Sequence, residues 1–281
     1  MILPFMVDLE GKVAVVTGGS GVIGSVIARA LASCGAQVAI IARNEEKINQ
    51  VVTDITEEGG NAIGLSVDVL SKNELSKARN EIAERFGPCD ILINGAGGNH
   101  PDATTDQEFY SVESSVENTS FFDLERGAIS TVFDLNYLGT ILPSQVFAKD
   151  MINREGTTII NISSMNSYRP LTKIPAYSGA KAAISNLTQW LAVYFSKVGV
   201  RVNAIAPGFF LTNQNENLLI NEEGSYNERA EKIISQTPME RFGEPEELIG
   251  TLLWLVNQQA SGFVNGIIVP IDGGFSAYSG V

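Results

Sequence analysis

Short apolar runs alternate along the chain with longer stretches in which apolar residues return every three or four positions. The runs are KVAVVT (12–17), QVAIIA (37–42), AIGLSVD (62–68), DILIN (90–94), TTIINIS (157–163), VRVNAIA (200–206) and GIIVPID (266–272). They are rich in Val and Ile and several show little polar alternation, which predicts parallel strands covered by helices on both faces. Residues 22–34, 44–58, 71–86, 128–153, 176–197 and 245–258 carry the helical period. Strand and helix therefore alternate from end to end, predicting a single α/β domain over residues 1–281 with a doubly wound sheet and ligands at the carboxyl ends of its strands. Two stretches fit the repeat poorly, 97–127 and 208–245. Both follow strand ends, so they are candidate substrate loops, and plain surface insertions would look the same.

Charge narrows the class of partner. Thirty-two acidic against nineteen basic residues give a formal net charge of −13, which repels phosphate backbones and anionic lipid. No nucleic acid and no membrane partner are expected. An anionic substrate would need a local cation in its pocket. No uncharged apolar run approaches the roughly 20 residues of a membrane helix. The opening MILPFMVDLEGK lacks a positive n-region and a small-residue cleavage site, so no export signal is read and a cytoplasmic location is expected. Cys34 and Cys89 have neither metal-ligand nor redox-motif spacing, and no metal site is expected.

The first chemical signal is TGGSGVIG (17–24), between the first strand and the first helix. Gly19, Gly21 and Gly24 satisfy GxGxxG, the pattern that lets backbone and a helix N-terminus approach a pyrophosphate in a Rossmann-type fold. At the tip of the second strand an acidic residue would bind a ribose 2′-hydroxyl, but the chain has Ala42, Arg43 and Asn44. Arg43 could pair with a 2′-phosphate, so NADP is favoured over NAD, while a merely solvated arginine would leave the choice open.

The second signal is YSGAK (177–181). Tyr177 and Lys181 stand at i and i+4, on one helical face. A free tyrosine has a pKa of about 10, and an adjacent ammonium is expected to lower it into a useful range. With these two motifs the chain resembles the short-chain dehydrogenase/reductase family over nearly its whole length. Further matches are VDV (67–69), INGAG (93–97), LNYLG (135–139), ISS (162–164), RVNAIAPG (201–208) and DGG (272–274), with Ser164 thirteen positions ahead of Tyr177. Val22 stands where the commoner form of the loop has glycine, and Gly95 replaces the second asparagine of NNAG.

The resemblance implies an NAD(P)-dependent oxidoreductase with a proton-transfer set. Tyr177 is then the general acid and base, Ser164 holds the substrate oxygen, and Asn136 fixes a water that links Lys181 to solvent. The implied cofactor residues are Gly18, Gly19, Ser20, Gly21, Val22 and Ile23 in the loop, with Arg43, Asp68, Val69, Asn94, Ala96, Gly97, Tyr177 and Lys181. Pro207, Gly208 and Thr212 are implied to flank the nicotinamide. A homotetramer of two-fold symmetry, built on the helices at 128–153 and 176–197, is also implied.

For the substrate, the resemblance extends to a subgroup that interconverts a keto-uronate and its hydroxy acid, D-fructuronate and D-mannonate. Asn99, His100, Ser164, Met165, Asn166, Arg169 and Asn213 lie in loops beside the implied carbonyl position. Arg169 is the first choice for the carboxylate, since a planar guanidinium can hold one bidentately. His100 either binds a sugar hydroxyl or only bonds locally. Two other readings stay open: reduction of a different keto substrate (sugar, polyol or ketoacyl group), and a module that binds NADP without turnover. The intact proton-transfer set speaks against the module, and a charge of −13 suits an acidic carrier protein poorly.

Overall fold

The computed structural model describes residues 7–113, 118–212, 219–221 and 224–280. Seven strands, β1 (Val13–Thr17), β2 (Gln37–Ala42), β3 (Asn61–Ser66), β4 (Ile91–Asn94), β5 (Thr158–Ile162), β6 (Arg201–Pro207) and β7 (Ile268–Ile271), form one sheet in the order β3-β2-β1-β4-β5-β6-β7. Every pairing is parallel. Strand order reverses between β1 and β4, and at such a switch point the carboxyl ends of the strands open a crevice. The glycine loop and both candidate substrate loops leave from that edge.

Alternation along the strands sorts the core into two layers. Ala14, Val16, Val38, Ile40, Ile91 and Ile93 pack on one face beneath α1 (Val22–Ser33), α2 (Glu45–Glu57) and α8 (Ile249–Val256). Val13, Val15, Ala39, Ile41 and Leu92 pack on the other beneath α3 (Lys72–Arg85), α5 (Gly139–Met151) and α6 (Pro175–Tyr194). Both faces are apolar, which is why the strand sequences lack polar alternation. Two shorter helices, α4 (Arg126–Phe133) and α7 (Glu228–Ser235), and a terminal turn, α9 (Gln258–Ser261), complete the chain.

Three elements depart from the sequence reading. The helix predicted over 128–153 is broken after α4 by a π-helical turn, Asp134–Leu138, before α5 resumes. Asn136 lies inside that turn, and its Nδ2 donates to the Val132 carbonyl at 2.8 Å, the side-chain insertion that such turns accommodate. The loop expected over 208–245 contains α7, whose small apolar cluster of Leu219, Ala230 and Phe242 is too short a period to stand out in a polar stretch. The third strand stops at Ser66 rather than 68, because the Asp68 carbonyl turns to accept from the Ser71 amide at 2.9 Å.

Arg201 fastens the far end of the sheet to the last helices. It is 6% exposed and donates to Gln258 Oε1 (3.0 Å), Ser261 Oγ (3.2 Å) and the Leu255 carbonyl (2.9 Å). These partners are neutral. Burial pulls its pKa down to about 10, so it stays charged at neutral pH and lies favourably at the C-terminus of α8. Replacing it as Arg201→Met removes the charge-assisted bonds that join β6 to Gln258, Ser261 and Leu255, a loss larger than the relief of its buried charge, and should lower the unfolding free energy by about 3 kcal/mol. A urea titration reads this, and an unchanged midpoint would remove Arg201 from the fold's supports.

Candidate active site

The glycine loop is shaped by close approaches. Gly18 sits at φ +65°, and a methyl group there would lie 2.7 Å from the Gly95 carbonyl. A methyl on Gly24 would lie 2.2 Å from the Gly18 carbonyl, so only glycine lets α1 pack this tightly on the loop. Asn44, Ser71 and Asn227 cap α2, α3 and α7 with their side chains, whereas α1 begins at Gly21 with no side-chain cap and no acid in its first turn. Its first amides, from Val22 and Ile23 onward, are left with the positive end of the helix for an anion. This cradle fits the pyrophosphate of a dinucleotide. Gly19 and Ser20 complete the bend between β1 and α1.

The remaining cofactor candidates fall into two groups. Arg43 is exposed just beyond β2, and Asp68 lies just beyond β3, its Oδ1 accepting from the Leu70 amide at 3.0 Å. Ala96, Gly97, Pro207, Gly208 and Thr212 border the ends of β4 and β6. Gly208 lies so close to Asp272 that a methyl would come within 2.6 Å, which ties the APG and DGG matches together. By contrast, Val69 is buried against Gly139. Asn94 is 2% exposed and sends its side-chain nitrogen to Ser144 Oγ (2.9 Å) and Asn161 Oδ1 (2.8 Å). Its side chain serves the interior, leaving only the main chain to approach a ribose.

Sequence reasoning missed Thr17. Its Oγ1 accepts from the amides of Gly95 (3.1 Å) and Ala96 (3.4 Å), locking the two switch-point strands together. The available signal was a polar β-branched residue closing an otherwise apolar strand before the glycines.

The four proton-transfer candidates converge between β4, β5, the π turn and α6. Ser164 lies two residues beyond the end of β5 and N-caps the 3-10 turn Met165–Ser167. Its hydroxyl is hydrogen-bonded with Tyr177. Lys181 Nζ lies 5.5 Å from the Tyr177 ring centroid and donates to the Ile162 carbonyl at 2.9 Å. Asn136 Nδ2 donates to the Gly98 carbonyl at 2.7 Å, and its Oδ1 accepts from the Gly98 amide at 3.3 Å. A methyl on Gly97 would sit 2.6 Å from Asn136 Oδ1 and 3.2 Å from Lys181 Nζ, so the three elements meet at one point. The Asn136 side chain therefore acts here as a clamp on the β4 loop, while the residue's main-chain carbonyl accepts from Thr140 Oγ1 at 2.8 Å.

The electrostatics correct one expectation. Burial pushes the Tyr177 phenol up to about 12, opposed by the Ser164 hydrogen bond, and burial pulls the Lys181 ammonium from 10.5 down to about 8. The neighbouring charge does not depress the phenol in the free protein, because both groups are desolvated and each resists its charged form. Tyr177 thus carries its proton at neutral pH, as a general acid must, and Lys181 is charged there with little to spare.

The substrate candidates are placed less evenly. Met165 and Asn166 are buried beside Ser164. Asn99 Nδ2 donates to Thr104 Oγ1 at 2.9 Å. His100 Nδ1 accepts from the Asp102 amide at 3.2 Å, a local capping role that leaves Nε2 for other use. Arg169 was expected to aim at a substrate carboxylate, but its Nη1 donates to the Tyr278 carbonyl of the C-terminal segment. Asn213 lies outside the described residues. The two candidate loops meet where Lys232 Nζ donates to Glu108 Oε2 at 2.6 Å, and the first of them also reaches the segment before α6, the Thr105 amide donating to the Lys173 carbonyl at 2.8 Å.

Residues 12–223 match the short chain dehydrogenase family. The uncharacterized oxidoreductase UxuB of Bacillus subtilis (strain 168) is 55% identical over 280 residues, with 100% of both chains covered. The 2-dehydro-3-deoxy-D-gluconate 5-dehydrogenase of Formosa agariphila is 31% identical over 274 residues, covering 97% of this chain and 96% of that one. A crystal structure of "a putative D-Mannonate oxidoreductase" from Haemophilus influenzae with bound NAD is 56% identical, covers 98% of each chain and superimposes with a TM-score of 0.95.

Two outcomes follow from Lys181. Its charge is lost as pH rises through about 8 while Tyr177 keeps its proton to about 12, so kcat/KM for carbonyl reduction should be level below pH 8 and fall above it. That limb should vanish in Lys181→Met. Stability runs the other way: between pH 8 and 10.5 the unfolded chain holds more protons on this group, so wild-type stability rises with pH there. At pH 7 the buried charge costs on the order of 3 kcal/mol. Lys181→Met should accordingly melt higher than wild type at pH 7, with the gap closing by pH 10.5. A lower melting temperature at pH 7 would refute the account of the buried charge.

Proposed function

The chain belongs to the short-chain dehydrogenase family, an oxidoreductase acting on a CH–OH group with a nicotinamide dinucleotide, and from that premise we propose that it interconverts D-fructuronate and D-mannonate. The observation that carries the reaction type is the meeting of Ser164, Tyr177, Lys181 and Asn136 beside the uncapped start of α1. The sugar-acid class is supported by the names of two relatives, one on D-mannonate and one on a deoxy keto-gluconate, and by the polar residues Asn99, His100, Asn166 and Arg169 in the segments that follow β4 and β5.

In this reading the bound dinucleotide supplies or accepts the hydride. Ser164 donates a hydrogen bond to the keto oxygen and holds it against Tyr177. As the carbonyl carbon gains its hydride, the Tyr177 Oη proton passes to the developing alkoxide, giving the hydroxyl group. Lys181, held by the Ile162 carbonyl, stabilises the phenolate left behind until it is reprotonated. Asn136 keeps the Gly97–Gly98 backbone in place beside them. In mannonate oxidation each transfer reverses.

Arg169 is the carboxylate group's partner, exchanging the neutral Tyr278 carbonyl for a charged oxygen pair. Arg43 at the β2 tip favours NADP, and the NAD held by the solved relative favours NAD. Paired kcat/KM values on both cofactors decide between them. The assembly is a homotetramer in the cytoplasm, with the exposed stack of Trp190 and Tyr194 on α6 (centroids 4.7 Å apart) as part of its contact surface.

Purified protein should oxidise reduced dinucleotide when given D-fructuronate, and more slowly with neutral ketoses. Arg169→Leu should raise KM for the keto acid at least tenfold and leave the neutral ketose unaffected. Equal rates on both substrates would defeat the carboxylate assignment. Tyr177→Phe should cut turnover by about 10²–10⁴ with cofactor affinity nearly intact, measured by nucleotide fluorescence. Retained turnover would move the acid elsewhere.

A further inference from the structure

Three buried side-chain polar atoms among the described residues have no hydrogen-bond partner: Asn94 Oδ1, Asn166 Oδ1 and Ser178 Oγ. Such atoms are rare in folded proteins and destabilise the free molecule. Asn94 lies within the sheet interior, where its side-chain nitrogen already makes two bonds, and the Ser178 hydroxyl can rotate. Asn166 differs from both in its chemistry and in its place. Its amide oxygen only accepts, so a donor must come to it. The residue is 4% exposed, and its main-chain amide donates to Ser164 Oγ at 3.3 Å. Asn166 is therefore positioned by the same hydroxyl that would grip the reacting carbonyl.

We propose that Asn166 is a specificity-determining residue, whose side-chain oxygen accepts a hydrogen bond from a hydroxyl group on the carbon next to the substrate carbonyl. The chemical class selected is an α-hydroxy ketone. A cationic donor is disfavoured, because the Lys181 ammonium is anchored on the carbonyl of Ile162, two residues before Ser164. A carbon chain lacking the hydroxyl would leave the oxygen unpaired in the complex as well, and sites built around a hydrogen bond reject such analogues strongly. The proposal rests on the reading that the chain reduces a ketone, and it says which ketones.

The test uses the full-length protein with hydroxyacetone and acetone, which differ by that one hydroxyl group, and with Asn166→Leu and Asn166→Asp. Wild type should favour hydroxyacetone. Asn166→Leu should lower the ratio of kcat/KM on hydroxyacetone to kcat/KM on acetone at least tenfold. It should also melt about 2–4 °C higher in the free state, since the unpaired acceptor is gone. Asn166→Asp keeps an acceptor and should keep the preference. Equal losses on both ketones, or an unchanged or lower melting temperature for Asn166→Leu, would overturn the assignment. Wild-type inactivity on both ketones and on D-fructuronate would instead sink the substrate reading, and the specificity proposal with it.

Discussion

A buried ammonium held by a main-chain carbonyl is the constraint around which this molecule is arranged. Lys181 is 4% exposed and its Nζ donates to Ile162, whose carbonyl stands at the end of β5. The strand must stop there for that oxygen to serve. The loop after β4 must come close enough to shield the charge, and a methyl on Gly97 would already be 3.2 Å from Nζ. Helix α6 must present Tyr177 one turn earlier on the same face. Burial at this point holds the phenol proton in place and makes the lysine charge conditional on pH, so the same desolvation that strains the fold sets the chemistry.

A second network carries that geometry into the core. Asn94 on β4 bonds Asn161 on β5 and Ser144 on α5, and Asn161 Nδ2 reaches Thr188 on α6 at 2.9 Å. Two strands and two helices are thereby fixed in register by directional bonds rather than by apolar packing alone, which slides more easily. Thr17 does the same between β1 and β4. The glycine loop and the four proton-transfer candidates are built on neighbouring strands, and these buried polar bonds hold the distance between them.

The sheet was legible in the sequence because both of its faces are apolar and its strands are short. The glycine loop was legible because close backbone approach admits no other residue. The partners of polar side chains were not legible. Nothing in LNYLG announces that Asn136 will clamp Gly98 through a π turn, because the turn arises from a contact between segments 38 residues apart. The i, i+4 spacing of Tyr177 and Lys181 correctly predicts one face, yet the direction of the phenol's shift depends on burial, a property of the assembled fold. Arg169 was chosen for its chemistry, and the tail that receives it, at Tyr278, lies 109 residues away.

That tail contact bears on how a chain of net charge −13 could take an anionic substrate. Exposed charges more than a Debye length away, about 8 Å at physiological ionic strength, are largely screened, so the global field weighs little inside a crevice. A single cation at 4 Å is worth about 4 kcal/mol at an effective dielectric of 20. The decisive quantity is thus the local charge left uncompensated. Lys232, on α7, is paired with the Glu108 carboxylate and offers almost none. Arg169 is held by a neutral carbonyl, which orients the guanidinium without cancelling it. An incoming carboxylate can displace that carbonyl at the cost of one neutral hydrogen bond and gain a charge-assisted pair, roughly twice as strong. On the proposed reading, the acidic surface repels bulk anions while Arg169 beside the site selects them.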